Sequence, residues 1–225
     1  FVTLIGDSFA MGSCVERPND IASQIRKKIK NDMAVINLGY GGNTLLLEYA
    51  TLREYYKFIK SDIILWLIYE DDSGGFEEFS NSQILSNYLN SETYSQNLID
   101  RQIYIDNYLK EIIEKQIVNY KKANNFSKKL FKVIKFYNTR NLIRIITHQK
   151  YSEFDENAYK IISMVKKLSQ KEKSKLIAVV LPSQKTVRKS NYDNENSKSL
   201  IKILEKLEIE YINVGLELKN YKNVN

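Results

Sequence analysis

Residues Asp62 to Glu70 read Asp-Ile-Ile-Leu-Trp-Leu-Ile-Tyr-Glu, seven apolar or aromatic residues in a row between two acids. A strand with one wet face alternates apolar and polar residues. An uninterrupted run of this length instead needs cover on both faces, as in a parallel sheet layered with helices. Four other runs share the character: Phe1 to Ile5, Met33 to Ile36, Leu176 to Leu181 and Glu210 to Val214. Helical patterns lie between them. Ile21, Ile25 and Ile29 share one face behind a cap at Asn19 or Asp20. Leu45 to Ile59 reads as a second helix, capped by Thr44 or Asn43. Leu200, Ile201, Leu204 and Leu207 mark a third within Ser197 to Leu207. Strands alternating with helices predict a doubly wound α/β sheet with right-handed crossovers. A chain of 225 residues suits one such domain.

One connection is far too long for a plain crossover. Residues 73–174 separate the third and fourth strands, where about a dozen residues would do. Ile105, Leu109, Ile112, Ile113 and Tyr120 give the stretch a helical period, so it reads as a mostly helical insertion. It could cover the carboxyl edge of the sheet, or pack aside as an oligomer contact. Lysine- and asparagine-rich patches at Lys121 to Asn125 and Lys189 to Lys198 read as loops.

The net charge is +7, but the lysines are scattered among Asn, Tyr, Ile and Glu, without an Arg-rich tract. That pattern describes a solvated basic surface rather than a nucleic-acid footprint. One cysteine (Cys14) and one histidine (His148) allow neither an internal disulfide nor a zinc spacing. No run reaches the roughly 18 apolar residues of a membrane helix, and no signal peptide is visible. The chain starts at Phe1, inside a strand and without Met. The expectation is a single domain over 1–225, truncated at both ends, with its cellular location open and an envelope or membrane anchor carried by missing segments.

Three strands end in loops that carry chemistry. Gly6-Asp7-Ser8-Phe9 follows the first, and a serine there stands above the sheet edge. Serine needs a base to become a nucleophile, and the same string is also an ordinary capped turn. Asn37-Leu38-Gly39-Tyr40-Gly41-Gly42-Asn43-Thr44 follows the second strand. Its glycines let backbone N–H groups face a ligand, although a plain turn reads the same way. Neither the P-loop nor the dinucleotide glycine pattern is present. Tyr69-Glu70-Asp71-Asp72-Ser73 follows the third. Three such loops at one carboxyl edge make a site by geometry.

Taken together, these blocks resemble the SGNH/GDSL hydrolase superfamily. Gly6 to Phe9 is similar to its nucleophile block, Asn37 to Thr44 to its second, with Gly42 as the final glycine, and the strand ending in Tyr69-Glu70 to its third. The resemblance implies a three-layer α/β/α, flavodoxin-like fold with five parallel strands in the order 2-1-3-4-5. It implies Ser8 as nucleophile, with Gly6, Asp7 and Asn43 as supporting motif residues. The Ser8 and Gly42 N–H groups would hold the oxyanion, and a third-block asparagine would be the third donor. Loss of one such donor typically costs roughly 10²–10³ in rate. Here that position is Asp72, or Asp71 with a one-residue gap. A carboxylate cannot donate a hydrogen bond unless burial keeps it protonated.

The superfamily's last block, Asp-x-x-His, finds no match after Glu210, and the expectation is that it follows Asn225. His148 lies in the insertion and reads as a surface or helix-end histidine. The implied activity is hydrolysis or O-acyl transfer through an acyl-Ser8 intermediate, on a small-molecule or acetylated carbohydrate ester. No metal and no organic cofactor is implied. The alternatives are a non-catalytic carbohydrate- or partner-binding domain, a phosphate or flavin binder using Gly39 to Asn43, and, from charge alone, a nucleic-acid binder.

Overall fold

A computed structural model describes residues 1–13, 15–29, 33–70, 72, 82–123, 154–189 and 194–224. The chain divides into two compact units, residues 1–95 with 151–225, and residues 96–150. In the first unit, β1 (Val2–Gly6) leads into α1 (Ser8–Met11), α2 (Ile21–Lys28), β2 (Val35–Asn37), α3 (Leu45–Ile59) and β3 (Ile63–Tyr69). Next comes α4 (Gln83–Asn90). The described part of the second unit contains α5 (Gln102–Ala123). The first unit resumes with α6 (Glu156–Lys171), β4 (Lys175–Leu181), α7 (Gln184–Lys189), α8 (Glu195–Lys206), β5 (Glu210–Asn213) and α9 (Val214–Val224).

All five strands are parallel, in the order β2-β1-β3-β4-β5. This is the α/β arrangement of a flavodoxin-like fold, in the strand order expected. The apolar run of β3 does what its composition demands. Ile64, Trp66 and Ile68 pack on one face with Leu45, Leu52, Ile161, Val165, Leu200 and Leu204. Ile63, Leu65, Leu67 and Tyr69 meet Ala10, Ala22, Ile25 and Val214 on the other. Each fully buried side chain of this size stabilises the fold by about 1.5–3 kcal/mol. Helices therefore cover both faces, α3, α6 and α8 one side, α1, α2 and α9 the other.

The connection over 73–174 is not one block. Its helix α4 packs on α3, and α6 packs on α3 and β4, so both belong to the sheet unit. Residues 96–150 form the unit apart. The two patches expected as loops are partly helical. Residues 121–123 continue α5, and α8 already starts at Glu195. Asn194 explains the second case: its Oδ1 accepts the Ser197 N–H at 2.9 Å, a cap that polar composition disguised as a loop. The other cap expectations divide. Asp20 caps α2 through the Ser23 N–H at 2.9 Å. Thr44 stands at the cap position of α3 without a side-chain cap bond.

Candidate active site

The sheet order reverses direction between β1 and β3, because β2 lies on the far side of β1. In open α/β sheets the crevice at such a switch point, outside the carboxyl ends of the strands, is where ligands bind. Gly6 pairs with Leu67 and Leu4 with Asn37, so the loops after β1, β2 and β3 emerge along one edge.

Asp7 caps α1, its Oδ1 accepting the Phe9 N–H at 2.9 Å. That cap makes Ser8 the first helical residue. The Ser8 hydroxyl is partly buried and donates to Asp7 Oδ2 at 3.3 Å, long for an O–H···O bond. The second loop is pressed onto this turn. Asn37 Nδ2 donates to the Ala10 carbonyl at 2.6 Å, and its Oδ1 accepts the Gly39 N–H at 2.8 Å. Gly39 fits because it has no Cβ: one would lie 2.5 Å from Ala10 Cβ and 2.7 Å from Met11 N. The Tyr40 N–H reaches Gly6 O at 3.2 Å, and the Asn43 N–H reaches Tyr40 O at 3.2 Å. Gly41 comes to the serine itself, since a Cβ there would lie 3.8 Å from Ser8 Cβ. Gly42 has φ +84° and open space where a side chain would project.

The third loop joins through aromatic contact. Phe9 stacks on Tyr69 with ring centroids 5.1 Å apart. Asp72 closes a turn back onto the strand end, its Oδ2 accepting the Tyr69 N–H at 3.1 Å while its own N–H donates to Tyr69 O at 2.9 Å. Asp71, Cys14 and His148 lie outside the described residues.

Two glutamates were assigned no role from the sequence and matter more than expected, Glu70 within the third block and Glu48 outside every motif. Glu70, 2% exposed, accepts from Asn194 Nδ2 at 2.8 Å, Ser197 Oγ at 2.7 Å and the Thr186 hydroxyl. Burial alone would raise its pKa, but the donors from Ser183, Thr186, Ser197 and Asn194 outweigh burial and hold it below the usual range. Glu70 therefore ties the start of α7 and α8 to the end of β3. Glu48, fully buried on α3, accepts from Trp66 Nε1 at 2.7 Å on Oε2. Among the described residues its Oε1 has no partner, and neither have the buried Asn43 Nδ2 and Thr44 Oγ1 nearby in the chain. Burial pushes the Glu48 carboxyl well up, and the negative charges of Asp72 and Asp7 push the same way against the Trp66 bond. A sequence signal for Glu48 exists: Leu45, Glu48, Tyr49 and Leu52 occupy one apolar stripe at i, i+3, i+4 and i+7.

Among the described residues no group of three His, Cys, Asp or Glu side chains is placed to hold a metal ion. No described helix is long and apolar enough to cross a membrane. The chain matches no protein-family model and no curated protein.

Proposed function

We propose that this chain processes acyl esters through an acyl-Ser8 intermediate, by hydrolysis or by transfer to an acceptor hydroxyl. The observation that carries the reading is the approach of the Gly39–Asn43 loop to Ser8 at the β1/β3 switch point, with Gly41 against the serine and open space beside Gly42. Ser8 Oγ attacks the ester carbonyl, its proton passes to a base, and the alcohol leaves. Backbone N–H groups of Ser8 and Gly42 stabilise the oxyanion in this scheme. Exposed Phe9, Met11 and Tyr40 offer apolar surface beside the serine to the organic part of a small-molecule or carbohydrate ester.

The test is acetyl release from 4-nitrophenyl acetate and from acetylated oligosaccharides, with mass spectrometry of the trapped protein. Wild type should carry acetyl on Ser8, and Ser8→Ala should lose about 10³-fold or more of the turnover. Equal turnover by Ser8→Ala would sink the proposal.

A second reading has one observation in its favour. Asp72, which resembles the asparagine donor position, is a carboxylate that accepts from the Tyr69 N–H. A binding domain on the same scaffold would hold acetylated oligosaccharide in the Ser8→Ala form as tightly as in wild type, with no turnover in either.

A further inference from the structure

The acyl-ester scheme asks the Gly39–Asn43 loop to hold its backbone N–H groups at a fixed place beside Ser8, and glycine is the residue least able to stay fixed by itself. Three of the loop's bonds run between backbone or asparagine groups. The Gly39 N–H donates to Asn37 Oδ1 at 2.8 Å, the Tyr40 N–H to Gly6 O at 3.2 Å and the Asn43 N–H to Tyr40 O at 3.2 Å. The bond in the middle is different: the Gly41 N–H donates to Met11 Sδ at 3.3 Å. A Cβ on Gly41 would lie 3.8 Å from that sulfur and 3.8 Å from Ser8 Cβ, so this one residue meets the thioether and the serine together. Met11 is the last residue of α1, the helix that Ser8 begins, and positions three apart on a helix are neighbours. Its backbone is fixed on both sides. The Met11 N–H donates to Asp7 O at 3.0 Å, and the Gly12 N–H to Ser8 O at 3.0 Å. Core packing does not account for the side chain, since it is 46% exposed.

We propose that Met11 is a positioning residue for the site: its thioether ties Gly41 to the helix that starts with Ser8, and so sets where the glycine loop stands beside the serine. The effect on Ser8 rests on the acyl-ester reading, whereas the tie itself does not. A thioether sulfur is a weak acceptor, and one such bond is small beside the roughly 10²–10³ in rate that an absent oxyanion donor costs. Its value lies in geometry. An oxyanion donor works over a narrow distance range, about 2.7–3.1 Å, and an untied glycine loop samples a wider one. A mere apolar wall for the substrate would need only the bulk of Met11, whereas a tie needs its sulfur. Substitution separates the two roles. Leucine keeps apolar bulk and has no acceptor, and glutamine has nearly the length of methionine and brings a carbonyl acceptor.

The chain has 8 glycines, so isotopic labelling of glycine nitrogen gives a sparse amide spectrum, in which the signal lost in Gly41→Ala identifies Gly41. Hydrogen exchange of the Gly41 N–H would be measured in wild type, Met11→Leu and Met11→Gln, together with the rate of Ser8 modification by a fluorophosphonate. In Met11→Leu, exchange at Gly41 should quicken by roughly fivefold and Ser8 modification should slow by roughly fivefold, the scale of one net hydrogen bond. Met11→Gln should recover most of both. Equal exchange at Gly41 in wild type and Met11→Leu overturns the tie. Faster exchange with Ser8 modification unchanged overturns the positioning role. Equal slowing of Ser8 modification in Met11→Leu and Met11→Gln assigns the effect of Met11 to apolar contact and overturns that role as well. If Ser8 is not modified in wild type, the acyl-ester reading and the positioning role fall together, and exchange at Gly41 still decides the tie. Because Met11 is exposed, both variants should keep the wild-type urea midpoint. Should Met11→Leu not fold, exchange at Gly41 in wild type as fast as in an unstructured glycine peptide counts against the proposal.

Discussion

Glu48 and Glu70 are both buried against β3, and they are held in opposite ways. Glu70 sits just past the strand end among hydroxyl and amide donors from Ser183, Thr186, Asn194 and Ser197. Among the described residues Glu48 has Trp66 as its one donor, and the negative charges of Asp72 and Asp7 act against its ionised form. Burial is equal to within 2% in exposure. The number and sign of the neighbours decides the charge state: enough donors replace the lost water and hold a carboxylate, whereas one donor and like charges favour the neutral acid. One carboxyl therefore acts as an ionic anchor for two helices, while the environment of the other disfavours its ionised form.

The largest test of that contrast is Glu70→Ala. It removes a charged acceptor from the Thr186, Asn194 and Ser197 donors together. Bonds to charged groups contribute about 1.5–3 kcal/mol each, so after local relaxation the loss should be about 3–5 kcal/mol in urea unfolding. A loss under about 1 kcal/mol would mean that water serves those donors equally well. Next in size is Trp66→Phe, which takes the single donor from Glu48 and leaves a small void. It should cost about 2–3 kcal/mol and push the Glu48 titration still higher, since the bond it removes favours the ionised form.

The pH dependence of stability should show both groups with opposite signs. Glu70 has a folded pKa below its ordinary 4.5, so its contribution is present above that value and is lost as pH falls through the lowered one. Glu48 has a folded pKa above its ordinary 4.5, so its contribution is complete below that value and is lost as pH rises through the raised one. Each limb can slope by at most about 1.4 kcal/mol per pH unit. Urea unfolding at a series of pH values should show Glu48→Gln losing only the alkaline decline, and Glu70→Gln only the acid one. A shared acid limb for both variants would erase the distinction drawn here. The smallest effect is Glu48→Gln itself at neutral pH. It replaces one neutral acceptor for Trp66 by another, and the change in stability should stay within about 1 kcal/mol.

Much of the scaffold was legible in the residues alone. The apolar run through Trp66 demanded two covered faces, and Ile64, Trp66 and Ile68 do face one helical layer while Leu65 and Leu67 face the other. Asp20 before Ile21 was readable as a cap because capping is local, one side chain bonding an N–H three residues on. Ser8, Gly39 to Asn43 and Asp72 could be placed on one sheet edge from their positions after successive strands. The helix α7 escaped notice, since a six-residue polar helix lacks the apolar stripe that marks α3.

Chain order and local pattern thus determined the layers, the strands and the edge at which three polar loops would gather. Only the tertiary structure decided what each acid in those elements does. Glu70 meets Asn194 and Ser197 from 124 and 127 residues away, and Glu48 meets Trp66 across the helix–sheet interface. The reason is physical. Burial follows from hydrophobic periodicity, which is written within a few residues, but the charge of a buried carboxyl depends on which distant donors and charges come within a few ångströms, and that is settled only when the layers close.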